Sequence, residues 1–170
     1  PIHAYGFIMA GGVIRGVPAP SPEAYLSGMG RAVAQAGPKP TAMVLNYPSN
    51  PTAQIVGLDF YRDAVAFAKK HDIWILSDLA YSEIYFGDEP PPSILKIPGA
   101  KDIAVEVNSL SKTYAMAGFR VGMAVGNSRL IGALARVKSY LDYGAYTPIQ
   151  VAASAALDGP QTCVDDIRAI

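Results

Sequence analysis

Short uninterrupted apolar runs alternate along this chain with stretches whose apolar residues recur every three or four positions. The first pattern reads as strands buried in a sheet, the second as helices with one inward face. The opening dozen residues, with Gly6, Gly11 and Gly12, predict a short helix before a strand at Val13–Val17. Ser21 then caps a helix with Pro22 in its first turn and Tyr25, Met29, Ala32, Val33 and Ala36 on one side; Gly37-Pro38 stops it. Ala42–Leu45 is a strand buried on both faces, followed by the proline-broken loop Asn46–Thr52. A helix over about Leu58–His71 turns Tyr61, Ala64, Val65 and Ala68 inward, and Ile73–Leu76 is a second buried strand ending at Ser77-Asp78.

Asp88–Pro92 is a surface turn. Ile103–Val107 makes a further strand, running into Asn108–Lys112, and Val121–Val125 another. Ser128 caps a helix with Leu130, Leu134, Val137 and Leu141 on one face, and a last helix begins after Pro148. The alternation predicts an α/β fold, a mostly parallel sheet sandwiched between helices. Sheets of this kind bind ligands beyond the carboxyl ends of their strands. Three strands end in polar clusters, Asn46–Asn50, Asp78–Tyr81 and Ser109–Lys112, so a convergent site is expected there.

Composition narrows the classes. Half the residues are hydrophobic (51%) and 16% are charged, which suits a buried core rather than a disordered chain. Fourteen basic residues balance fourteen acidic ones, so no net charge draws the chain to nucleic acid or an anionic membrane. No apolar run approaches the roughly 20 residues that span a bilayer. The single cysteine, Cys163, forms no internal disulfide, fits a reducing cytoplasm, and lacks partners at metal-ligand spacing. The opening Pro1-Ile2-His3 carries no initiator Met and no signal-peptide pattern, and reads as the middle of a longer protein.

The three clusters include Lys112, Asp78, Asn50, Tyr81, Ser109 and Ser111, with Arg120 nearby. A neutral lysine amine adds to carbonyl cofactors. Ser109, Ser111 and Arg120 can hold a phosphate, Asp78 a protonated ring nitrogen, and Tyr81 and Asn50 a phenolic oxygen. Pyridoxal 5'-phosphate (PLP) offers an aldehyde, a phosphate, a ring nitrogen and a phenolic oxygen in one molecule.

Ser109-Leu110-Ser111-Lys112-Thr113-Tyr114 with Gly118-Phe119-Arg120-Val121-Gly122 resembles the lysine motif of fold-type I, class I/II aminotransferases. Asn46-Tyr47-Pro48-Ser49-Asn50-Pro51-Thr52 and Asp78-Leu79-Ala80-Tyr81 resemble two further motifs of that family, in the same order and at matching separations. The resemblance implies Lys112 as the catalytic Schiff-base lysine, Asp78 as partner of the pyridine nitrogen, and Asn50 and Tyr81 on the phenolic oxygen. Ser109 and Arg120 match phosphate ligands. Ser111 matches less closely and divides between that role and a local backbone cap. From Pro98 to Asn127 and from Lys138 to Ala153 the chain is most similar to bacterial glutamate–pyruvate (alanine) aminotransferases, which are related to LL-diaminopimelate aminotransferases.

The family's phosphate loop, carboxylate-binding arginine and small domain find no match here. The resemblance therefore implies one domain over 1–170, the central part of the cofactor-binding domain, inactive alone. It also implies a cytoplasmic homodimer acting on an amino acid and a 2-oxo acid. A carbon–sulfur β-lyase or the PLP-sensing domain of a transcriptional regulator would share these motifs. Outside them the expectations are plain: Tyr47 packs, His3 and His71 are surface or helix-end residues, and Cys163 is a spectator. Tyr140, Tyr143 and Tyr146 pack in preference to lining a dimer contact or a substrate edge. A sheet lacking its upstream neighbours should leave a strand edge or apolar face to be covered by another copy, or exposed.

Overall fold

Three of the apolar runs pair in parallel and a fourth turns back on them. In the computed structural model, which describes residues 2–170 and leaves Pro1 outside, the sheet order is β1 (Ala42–Asn46), β2 (Trp74–Asp78), β3 (Ala104–Ser109) and β4 (Gly122–Gly126). The β1–β2 register runs from Ala42↔Trp74 to Asn46↔Asp78, and Asp78 in turn faces Val107 of β3. Hence β1, β2 and β3 finish at one edge. β4 is antiparallel to β3, with Ser109 opposite Gly122. Such a reversal needs only a short connection, here residues 110–121.

The helices are α1 (Ile2–Met9), α2 (Pro22–Ala34), α3 (Leu58–His71), α4 (Leu110–Thr113), α5 (Ser128–Leu141), α6 (Thr147–Asp158) and α7 (Thr162–Arg168). α2 starts as its sequence dictates: the Ser21 hydroxyl accepts from Ala24 N, satisfying an orphan donor of the first turn. It ends at Ala34, two residues short of Ala36, which is exposed. α3 buries Phe60, Tyr61, Ala64, Val65 and Ala68 against the sheet. It stops where Asp72 adopts a left-handed conformation (φ 54°) and its N–H closes on the Ala68 and Lys69 carbonyls.

The core lies on one face of the sheet, between Met43, Leu45, Ile75 and Ala104 and helices α2 and α3, with Ile94 and Ile97 closing its end. Glu106 is buried in that face and fully engaged. It accepts from Ser93 Oγ (2.6 Å), Ile94 N (3.0 Å) and Ser77 Oγ (3.3 Å), tying the 3-10 turn Ile94–Lys96 to β2 and β3.

Five expectations need correction. The helix expected to be last, after Pro148, begins at Thr147 with Pro148 in its first turn, and a further helix, α7, follows it. β1 and β2 are not buried on both faces: Met43, Leu45, Ile75 and Ser77 are buried, while Ala42, Val44, Trp74 and Leu76 are only half-covered. Val13–Val17 forms no strand. A strand needs a neighbouring ladder, and instead Arg15 donates to the Pro38 (2.7 Å) and Ala36 (3.2 Å) carbonyls beyond the end of α2. Asn127, not Ser128, caps α5, its Oδ1 accepting from Arg129 N (2.9 Å) and Leu130 N (3.3 Å). Tyr140, Tyr143 and Tyr146 do not pack; they are 84%, 94% and 72% exposed.

The apolar stripe of α5 also stays open, with Leu134, Val137 and Leu141 exposed. Tyr47 packs as expected, edge-on to Phe60. Among the described residues no helix is long and apolar enough to cross a membrane.

Candidate active site

The carboxyl ends of β1, β2 and β3 bring the three polar clusters together, and hydrogen bonds link them. Asn46, the last residue of β1, donates to the Asp78 carbonyl (3.3 Å) and accepts from Asn50 N (3.4 Å), folding the Asn46–Thr52 loop back over the strand end. The Ser49 and Thr52 hydroxyls bond within that loop, and Tyr47-Pro48 and Asn50-Pro51 are cis. Asn50 Nδ2 then donates to the Tyr81 hydroxyl (3.2 Å). Lys112 Nζ lies 5.6 Å from the centre of the Tyr81 ring, within range of a cation–π contact. Asn50, Tyr81 and Lys112 thus form a row across the strand ends.

Asp78 anchors the other end of the group. Its Oδ1 accepts from Ala80 N (3.1 Å), which shapes the turn into Tyr81. Its Oδ2 lies 2.7 Å from His3 Nε2, in a pair that is partly shielded from solvent. An ionised carboxylate only accepts, so Nε2 carries the proton of this contact. His3 lies in the first turn of α1, a helix-end residue as expected, and the fold also sets it, half-buried, on the Asp78 carboxylate. Seventy-five positions separate the two residues, and no spacing rule reaches that far.

Lys112 is presented by α4, a single turn. Ser109 caps it, its hydroxyl oxygen accepting from Ser111 N (3.2 Å), while Leu110 and Thr113 are buried and hold the turn down. Leu110 inward and Lys112 outward follow from their places on the turn, and the amine is left exposed. Ser109's oxygen is engaged as a cap but its hydroxyl proton remains a donor. Ser111 is half-buried beside it. Arg120 is exposed and left-handed (φ 54°), and its Nη1 donates to the Ala117 carbonyl (2.8 Å). Among the described residues it makes no hydrogen bond to Ser109, Ser111 or Lys112. Val121, next to it, accepts from Leu110 N (3.3 Å), so the two segments are neighbours along the backbone.

Chemically this is a row of an amine, a phenol with an amide on its oxygen, and a carboxylate backed by an imidazole, with hydroxyls at the foot of the lysine turn. It suits a flat, polar aromatic ligand bearing a carbonyl group, an acidic oxygen and a basic nitrogen. Among the described residues no cluster of His, Cys, Asp and Glu could hold a metal ion.

The family model described as aminotransferase class I and II matches residues 1–170. AatC of Rhizobium meliloti is 63% identical over all 170 residues, which cover 42% of that protein. The glutamate-pyruvate aminotransferase AlaC of Escherichia coli is 51% identical over 98% of this chain and 40% of its own length. An LL-diaminopimelate aminotransferase of Aquifex aeolicus is 44% identical over 99% of this chain and 43% of its own. The crystal structure of an aromatic aminotransferase from Pyrococcus horikoshii superposes with a TM-score of 0.87 at 27% identity, over 98% of this chain and 45% of that one. The chain spans about two fifths of the length of the curated relatives it matches.

Proposed function

This chain belongs to the aminotransferase class I and II family, and from that premise we propose that it binds PLP, with Lys112 as the residue that holds it. The observation that carries the reading is the row of Asn50, Tyr81 and Lys112 beside Asp78 at the carboxyl ends of β1, β2 and β3. These residues fit the group. Asp78, backed by His3, would keep a proton on the ring nitrogen. Tyr81 and Asn50, already bonded to each other, meet the phenolic oxygen. Ser109, Ser111 and Arg120 would hold the phosphate, Arg120 by exchanging its bond to the Ala117 carbonyl for a charge-assisted one.

When bound, PLP supplies an electron sink for the pair of electrons left when a bond to the substrate α-carbon breaks. Lys112 would serve as the base that takes the α-proton of the substrate and gives it back. In a protein of the relatives' length, the activity we propose is amino transfer between an amino acid and a 2-oxo acid. An alanine/glutamate pair is the substrate choice best supported, by the similarity to AlaC. Residues 1–170 act there as a single unit, the central part of the PLP-binding domain, in a cytoplasmic homodimer.

The test is absorbance of the chain mixed with PLP, followed by borohydride reduction and peptide mapping. We expect a Schiff-base band and a reduced pyridoxyl group on Lys112, both abolished by Lys112→Ala. Absence of that label from both this chain and a protein of the relatives' length would sink the PLP reading.

A further inference from the structure

The proposed cradle is assembled from turns that belong to different strands, and one side chain outside the cradle fastens two of them together. Asn108 is the next-to-last residue of β3, immediately before Ser109. Its Oδ1 accepts from Ser109 N (2.6 Å), and its Nδ2 donates to Ser82 Oγ (3.0 Å). The orientation of the amide follows from chemistry: a backbone N–H can only donate, so the oxygen must face Ser109 and the nitrogen must face Ser82. Ser82 closes the turn that begins at Asp78. It is buried, its N–H donates to the Leu79 carbonyl (3.1 Å), and Leu79 N donates to Val107 O (2.9 Å). The turn carrying Asp78 and Tyr81 is therefore joined to the strand leading to Ser109 and Lys112 at two points. One is the backbone bond at Val107; the other is the Asn108–Ser82 bond.

The second point matters more for Tyr81. The backbone bond holds Leu79, at the start of the turn, while Ser82 is the residue directly after Tyr81. Without the side-chain bond, the far half of the turn keeps no hydrogen bond to β3, and the Tyr81 hydroxyl, held by Asn50 alone, is freer to drift. Asn108 cannot be displaced sideways either. It faces Met123 of β4 in the ladder, and a Cβ on neighbouring Gly122 would lie 2.6 Å from the Asn108 carbonyl oxygen, so β4 is packed directly on its backbone.

We propose that Asn108, acting through Ser82, is a positioning residue that sets the Tyr81 turn against the Lys112 turn. The proposal rests on the PLP reading of the site, and its test separates the two. Ser82→Ala is the cleaner variant, because it removes the bond between the turns and leaves the Asn108–Ser109 bond intact. Asn108→Ala and the double variant complete a cycle.

The first readout is amide hydrogen exchange of residues 79–82 in the chain without cofactor. We expect roughly fivefold faster exchange there in Ser82→Ala, the factor for loss of one ordinary hydrogen bond, and no further gain in that turn on adding Asn108→Ala. The second is PLP titration. Ser82→Ala should bind about fivefold more weakly, with Lys112 still labelled by borohydride. The pH midpoint of its bound-cofactor band should move upward, because a donor to the phenolic oxygen has been loosened.

Unchanged exchange and unchanged uptake in Ser82→Ala would overturn the positioning role and leave the PLP reading standing. If Lys112 is labelled neither in this chain nor in a protein of the relatives' length, the cofactor reading falls, and unchanged exchange of residues 79–82 in Ser82→Ala overturns the positioning role independently of it.

Discussion

Two residues of this chain, His3 and Glu106, have partners that a linear reading does not suggest. His3 meets Asp78 across 75 positions, and Glu106 is buried among three donors. Tyr61 lies in the same buried region. Its hydroxyl is pushed up from the ordinary tyrosine value by burial and, less strongly, by the Glu106 carboxylate. Tyr25, whose hydroxyl donates to the Val44 carbonyl (2.9 Å), is raised by burial and by Tyr47. For both, the folded state keeps its proton above the pH at which the unfolded chain gives it up. Their contribution is thus whole below about pH 10 and is lost as pH climbs toward the folded value. Urea titrations at a series of pH values should show stability falling above about pH 10, and falling less steeply in Tyr61→Phe. An identical alkaline slope in that variant would contradict the assignment.

At the scale of elements, local chemistry explains most beginnings and endings. Ser21 with Pro22 starts α2, and left-handed Asp72 ends α3. The start of α5 shows how close alternatives are decided. Asn127 and Ser128 are adjacent good capping residues, and the sequence favours neither decisively. The fold selects Asn127, because its N–H donates to the Ala104 carbonyl (2.8 Å) and its Nδ2 to the Asp102 carbonyl (2.8 Å), fixing it at the edge of β3. Asn127→Ala should therefore cost about 1–2 kcal/mol in chemical denaturation, and Ser128→Ala within about 0.5 kcal/mol of nothing. The reverse order would restore Ser128 as the cap.

For the whole molecule, the unequal covering of the sheet is the main fact. One face is closed by α2 and α3, while the stripe of α5 and the tyrosines after it remain in solvent. Leu134, Val137 and Leu141 share one face of α5, and an exposed apolar stripe favours association. Sedimentation should show concentration-dependent assembly of the chain. Val137→Glu with Leu141→Glu should shift it toward monomer without lowering its melting temperature, since neither residue is buried. A monomer at all concentrations would remove the case for a partner copy on this face.

The sequence by itself determined the sheet's strands, the main helices and the three motifs at the strand ends. Those features depend on period, on caps and on residue chemistry within about ten positions, which a linear reading captures. The family and the proposed roles of Asn50, Asp78, Tyr81 and Lys112 were legible for the same reason. Only the tertiary structure decided that His3 backs Asp78, that Asn108 joins two turns, that Glu106 is buried and satisfied, and that Val13–Val17 lies unpaired. Each depends on which distant segment lies alongside. A hydrogen bond is settled by a few ångströms of three-dimensional placement, and separation along the chain carries no record of it.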